Sequence, residues 1–180
     1  MSNNNITNVT DVDNAEGYSF AVTATRGEGS WTVQSYADDF SNPKDALNAV
    51  RRLRAEGPAF ALLCVDDDYF VVCRPIPGGA RWFISDATMA VDDDFAADVL
   101  DEADAEFPDI DPEELDDAEP YADGDFEIFA DLGLSEDQLA IIVEDEDDYP
   151  SDMLLRIAGD LGFGDELEEF MTGSGDEDFA

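Results

Sequence analysis

The second half of this 180-residue chain has almost nothing but carboxylates with which to face water. Residues 91–180 hold 35 acidic residues and a single base, Arg156, whereas residues 1–90 hold 12 acids and 7 bases. The formal charge of −39 therefore belongs overwhelmingly to one half. Hydrophobic residues still make up 44% of the chain, an ordinary globular share, so a core is expected and must be built from positions between the acids.

A chain adapted throughout to high salt would acidify its first half as well, which argues for a specialised region. The bland reading is that the acidity serves solubility alone. An acidic half cannot neutralise phosphates, so neither nucleic acid nor an anionic membrane is expected to bind there. It suits a basic protein partner, or a polyanion mimic that occupies a nucleic-acid-binding surface. The opening MSNNNITNVTDVDNAEG has neither a basic nor an apolar signal region, and no run approaches a membrane span, so a cytoplasmic location is expected. Cys64 and Cys73 are too few for a disulfide scaffold.

Periodicity divides the chain. Residues 1–17 read as a polar tail. Tyr18, Phe20, Val22 and Ala24 alternate with small or polar residues, as do Trp31 to Tyr36 after a glycine-rich turn, which predicts a hairpin. Ser41-Asn42-Pro43 starts a helix that Gly57-Pro58 stops. Phe60–Val65 and Tyr69–Cys73 follow as two strands joined by Asp66-Asp67-Asp68. Arg81–Ser85 is a fifth strand, and a short helix begins near Asp86 to Thr88. The fold class expected is α+β, with a mainly antiparallel five-stranded sheet over residues 18–91, its element order resembling profilin-like and roadblock-type domains. Residues 92–125, loaded with acids and interrupted by Pro108, Pro112 and Pro120, read as a linker in which Phe95, Val99 and Leu100 extend a helix briefly. Residues 126–171 regain helical spacing, with one helix ending at Gly133 and others capped by Ser135 and Ser151. Residues 172–180 read as a second tail.

The chain contains no histidine, which removes the commonest general base and the usual zinc ligand together. If Asp66 and Asp67 turn the hairpin, Cys64 falls opposite about Tyr69 and Cys73 opposite about Phe60. Buried, unlinked thiols are then expected. The best calcium-loop alignment places Glu119 first and Gly124 sixth, but Tyr121 third and Ala130 twelfth, and fails. No catalytic residue, metal or cofactor is expected. Arg51, Arg52 and Arg54 form the single basic cluster, either an anion-facing surface or a solvated face pairing with Asp45 and Glu56. The end of the fifth strand, Trp82, Ser85 and Asp86, is a weaker candidate contact against the plainer reading of a strand end with a helix cap.

Four segments in order, FALLCVDDDYFVVCR, WFISDA, the acidic stretch, and FADLGLSEDQL followed by PSDMLLRIAGDLGFGDELEEF, resemble the actinobacterial tRNA adenosine deaminase-associated proteins. The likeness spans about residues 18–171. It implies a partner, a basic tRNA adenosine deaminase, rather than a reaction, and carries over no catalytic residues. A zinc-dependent nucleobase deaminase needs H-x-E and P-C-x-x-C, and this chain has neither. The expected function is that of a non-catalytic accessory protein; the alternatives are an acidic nucleic-acid mimic that inhibits a basic protein, and a small-molecule-binding α+β domain with a deep apolar pocket beside its sheet.

Overall fold

Two successive runs, Ala59–Val65 (β3) and Tyr69–Ile76 (β4), are apolar at nearly every position, so the strands they form need cover on both faces. A computed structural model, describing residues 19–173, shows how this is met. The remaining strands are β1 (Phe20–Gly27), β2 (Ser30–Ser35), β5 (Gly79–Ile84) and β6 (Asp123–Gly124). All pair antiparallel in the order β2-β1-β3-β4-β5-β6, leaving an open sheet with β2 and β6 at its edges.

The sheet has six strands where five were expected. The added strand is short and depends on glycine. Gly124 has φ 107°, and a Cβ there would collide with the Trp82 carbonyl. That close approach lets Asp123-Gly124 pair with Phe83 and Ile84 of β5.

One face of the sheet is covered by α1 (Lys44–Arg52) and α2 (Asp94–Ala103). Ala46, Leu47 and Val50 of α1 and Phe95, Val99 and Leu100 of α2 pack with Leu63, Val71, Cys73, Trp82 and Ile84. The other face is covered by α3 (Glu136–Val143), α4 (Pro150–Leu161) and α5 (Gly164–Gly173). Here Phe60, Leu62, Cys64, Val72 and Phe83 meet Leu139, Leu154, Ile157, Phe163 and Leu167. The result is three layers, helices on both sides of one antiparallel sheet.

The stretch expected to be a linker, residues 92–125, instead carries α2 and β6. Four apolar residues within ten, on one helical face, suffice to seat α2 despite its acids. Asp93 caps it by accepting from the Phe95 amide at 2.9 Å, and Asp104 ends it in the left-handed region. Residues 112–117 form only a 3-10 turn. The helix expected to end at Gly133 is likewise only a 3-10 turn, Ala130–Leu132, although Phe129 is fully buried. The cap expected at Ser135 is present, and the structure makes it a capping box with Gln138 as the reciprocal partner. Ser151 does not cap α4 from outside but lies in its first turn, because Pro150 occupies the first helical position.

The β3–β4 hairpin is shifted by one residue from expectation. Three aspartates form the loop, Asp66 and Asp67 both at positive φ (54° and 55°), so Cys64 pairs with Phe70 and Cys73 with Ala61. The cysteines consequently face opposite helical layers and cannot meet. Tyr18 and the two expected tails, but for residues 172 and 173 in α5, lie outside the described residues.

Phe163 sits where the C-terminal layer meets the sheet, its ring 4.8 Å from Trp31 and 5.9 Å from Phe60 between centroids. Phe163→Ala is expected to cost ~3–5 kcal/mol in urea unfolding, with the Trp31 emission as the most perturbed signal.

Candidate interaction surfaces

Charge distinguishes the surface of this molecule, and the bases are placed unevenly. Arg74 extends from β4 and forks onto Asp131 with two bonds of 2.7 and 2.8 Å, while also donating to the Ile128 carbonyl at 2.7 Å. This bidentate pair ties the sheet to the segment leading into α3, and it holds the Asp131 carboxyl below the usual carboxylate range. Arg81 pairs with Asp125 at 3.4 Å, and Lys44 with Glu102 at 3.8 Å. Arg156 lies between Asp145 and Asp148, 3.0 Å from each.

The expected basic cluster behaves differently. Arg51 and Arg52 end α1, and Arg54 follows at φ 51°. All three are exposed, and among the described residues none has a carboxylate within salt-bridge distance, Asp45 and Glu56 included. Arg51 donates instead to the Gly79 carbonyl at 3.0 Å.

The fifth-strand candidates are occupied in holding the sheet together. Trp82 is 3% exposed and packs against the α1–α2 layer. The Ser85 hydroxyl accepts from the Phe70 amide at 2.9 Å. Asp86 accepts from the Thr88 amide and hydroxyl at 3.0 and 2.6 Å, capping the 3-10 turn Ala87–Val91.

Asp67 makes a contact that the sequence did not announce. Both its oxygens serve Ser151, accepting from the backbone amide at 2.9 Å and the hydroxyl at 3.2 Å. A hairpin turn thus satisfies the N-terminus of a helix 84 residues later. Only the run of aspartates in that turn hinted at it. Asp93 bridges similarly, accepting from the Tyr69 hydroxyl at 2.9 Å while it caps α2.

Burial pushes the Cys64 and Cys73 thiols well above their ordinary range, and the Cys64 thiol also donates to an Asp67 oxygen at 3.6 Å. Burial likewise raises the Tyr69 and Tyr36 hydroxyls, each helped by the aspartate it donates to. Asp38, Asp39 and Asp45 bring one carboxylate oxygen each to within 4.8 Å of the others, the kind of donor set a hard cation accepts. Asp38 already accepts from the Tyr36 hydroxyl and the Phe40 amide, and calcium wants six to eight oxygens.

The solvent side of the C-terminal layer is a field of carboxylates. Asp165, Glu166, Glu168 and Glu169 line one shallow groove along α5, and Glu136 and Asp137 open α3. Glu127 beside Glu136 raises the Glu136 carboxyl, the signature of like charges held close. No helix among the described residues is long and apolar enough to cross a membrane.

These features define an acidic α+β protein of three layers, with helices on both faces of one antiparallel sheet. Residues 19–164 match the family described as Rv3753c-like tRNA adenosine deaminase-associated protein, and the chain belongs to that family. It is 44% identical over 149 residues to Protein Rv3753c of Mycobacterium tuberculosis, covering 82% of this chain and 84% of that protein. No solved structure matches it.

Arg74→Ala would strand the Ile128 carbonyl and release Asp131, and is expected to cost ~1–3 kcal/mol at neutral pH. Asp131→Asn, which leaves an acceptor at an exposed position, should cost less than about 1 kcal/mol. Because the folded state lowers the Asp131 pKa, the pair stabilises above the unfolded carboxylate value near ~3.9 and fades as pH falls through the depressed one. Urea midpoints measured from pH 7 to 3 should therefore show the gap between wild type and Arg74→Ala narrowing below about pH 4, with the pH-independent cost of the stranded Ile128 carbonyl remaining.

Proposed function

We propose that this protein is a non-catalytic accessory partner of a tRNA adenosine deaminase, docking through the carboxylate field of its C-terminal layer. The description of the family supports a partner of that kind. The missing histidine supports a role other than the deamination step, since the zinc chemistry needs H-x-E. The observation that carries the reading is the row Asp165, Glu166, Glu168 and Glu169 on the outer side of α5. An enzyme that grips tRNA must present lysines and arginines, and a dense carboxylate surface complements them. A cytoplasmic setting goes with that partner.

The same carboxylates would also serve a polyanion mimic that excludes tRNA from the enzyme. Titration distinguishes the two, because an accessory subunit leaves tRNA binding intact whereas a mimic competes for one site.

Mixed at ~50 mM salt, the protein and the deaminase are expected to co-elute on size exclusion and to separate near ~0.5 M, where screening shortens the field to a few ångströms. Glu166, Glu168 and Glu169 changed together to Gln should weaken the complex at least about tenfold, with the unfolding midpoint held or raised as repulsion is relieved. Absence of a complex at low salt, or one indifferent to both salt and these substitutions, would refute the reading.

A further inference from the structure

Six of the seven arginines lie at one end of the sheet, on or beside the C-terminal ends of α1, β1 and β4 and the start of β5. In a chain with 47 acids the ordinary fate of a base is an ion pair, and Lys44, Arg74, Arg81 and Arg156 meet it. Among the described residues Arg26, Arg51, Arg52 and Arg54 do not, and of these Arg51 and Arg54 line the same open cleft of about 490 Å3. That volume lies in the range of small-molecule sites.

The cleft is shaped by features that cost something elsewhere. Arg54 adopts the left-handed region, where a residue with a Cβ is strained by about 1 kcal/mol, and this turns it out of the helical path beside the cleft. The next bend passes so close to β1 that a Cβ on Gly57 would collide with the Arg26 carbonyl. Arg51 is braced by its bond to the Gly79 carbonyl, which uses one of five donors and leaves the rest of the guanidinium free. Arg74 also borders the cleft, but its charge is already matched by Asp131. Val50, Pro58 and Pro75 supply apolar wall, and the exposed Glu56 is the one carboxylate of the lining, so the two unpaired arginines leave the cleft net positive.

We propose that this cleft binds a phosphate monoester, with Arg51 and Arg54 holding the dianion and the apolar wall receiving its organic part. Two unmatched guanidinium forks suit a dianionic, multi-acceptor group better than a single carboxylate. A nucleic-acid strand fits poorly, because the remaining charge of the molecule repels an extended polyanion along its length. A small ligand meets that repulsion once, at the most favourable end of the molecule. The site is independent of deaminase docking.

Amide spectra of the full chain, titrated with AMP, inorganic phosphate and adenosine, test the proposal. AMP and phosphate are expected to give saturable shifts at Arg51, Arg54, Gly57 and Gly79, with AMP binding more tightly and adenosine producing none. Arg51→Gln and Arg54→Gln should each weaken AMP at least about tenfold, while Arg52→Gln, which lies off the cleft, should change it less than about twofold. All three positions are exposed, so unchanged unfolding midpoints will show that the variants remain folded. No saturation by ~10 mM AMP, adenosine shifting the same amides as strongly as AMP, or equal affinity in Arg54→Gln and wild type would overturn it.

Discussion

Everything in this molecule follows from the β3–β4 hairpin being apolar on both faces. Phe60, Leu62 and Cys64 point one way, Ala61, Leu63 and Val65 the other, and all six are buried. A sheet of that kind cannot leave one face in water, so two separate helical layers must be recruited. The first half of the chain provides only α1. The other cover comes from the acidic half, whose apolar residues are few but spaced to form single helical faces.

This turns the charge asymmetry into a structural statement. The acidic half supplies α2 on one face and α3, α4 and α5 on the other, with carboxylates left to the outside. Polar contacts help fix that cover to the sheet, the Tyr69 hydroxyl donating to Asp93 at the start of α2 among them. Arg74 reaches Asp131 and the Ile128 carbonyl, and Asp67 reaches the first turn of α4. Each satisfies a group that would otherwise be costly to leave unpaired at the layer boundary. The mutual repulsion of the outer carboxylates acts against the same layers. Apolar burial therefore has to outweigh it, and the aromatic contacts of Phe163 with Trp31 and Phe60 show where it does so.

Strand and helix positions were legible wherever apolar periodicity was strong, as in β1, β3, β4, α3 and α4. Features with weaker periodicity were less so. Only a brief helix was legible over Asp94–Ala103 because acids occupy four of its ten positions, yet Phe95, Ala96, Val99 and Leu100 share one face and seat a full helix against the sheet. A two-residue strand such as β6 has no periodicity to read, and its pairing depends on backbone approach at Gly124. The hairpin register slipped by one because loop length cannot be counted from a run of three aspartates. Asp86 takes the local helix-cap role that the strand end suggested, whereas the places of Trp82 and Ser85 in the sheet depend on partners distant in sequence. The arginine cluster was visible. What the sequence hid was that all three would lack a carboxylate partner among the described residues and that Arg51 and Arg54 would face a common cleft.

The claim on which the rest stands is that sheet and acidic helices form one cooperative unit. Trp31 reports the face under α4 and α5, and Trp82 the face under α1 and α2. Urea unfolding of Trp31→Phe and Trp82→Phe, followed by the remaining tryptophan and by far-UV circular dichroism, reads both faces and the helices separately. Coincident midpoints within about 0.2 M urea for all probes are expected of a single unit. Loss of helix and of the Trp31 signal at clearly lower urea than the Trp82 signal would contradict it, and would make the acidic half a separable appendage.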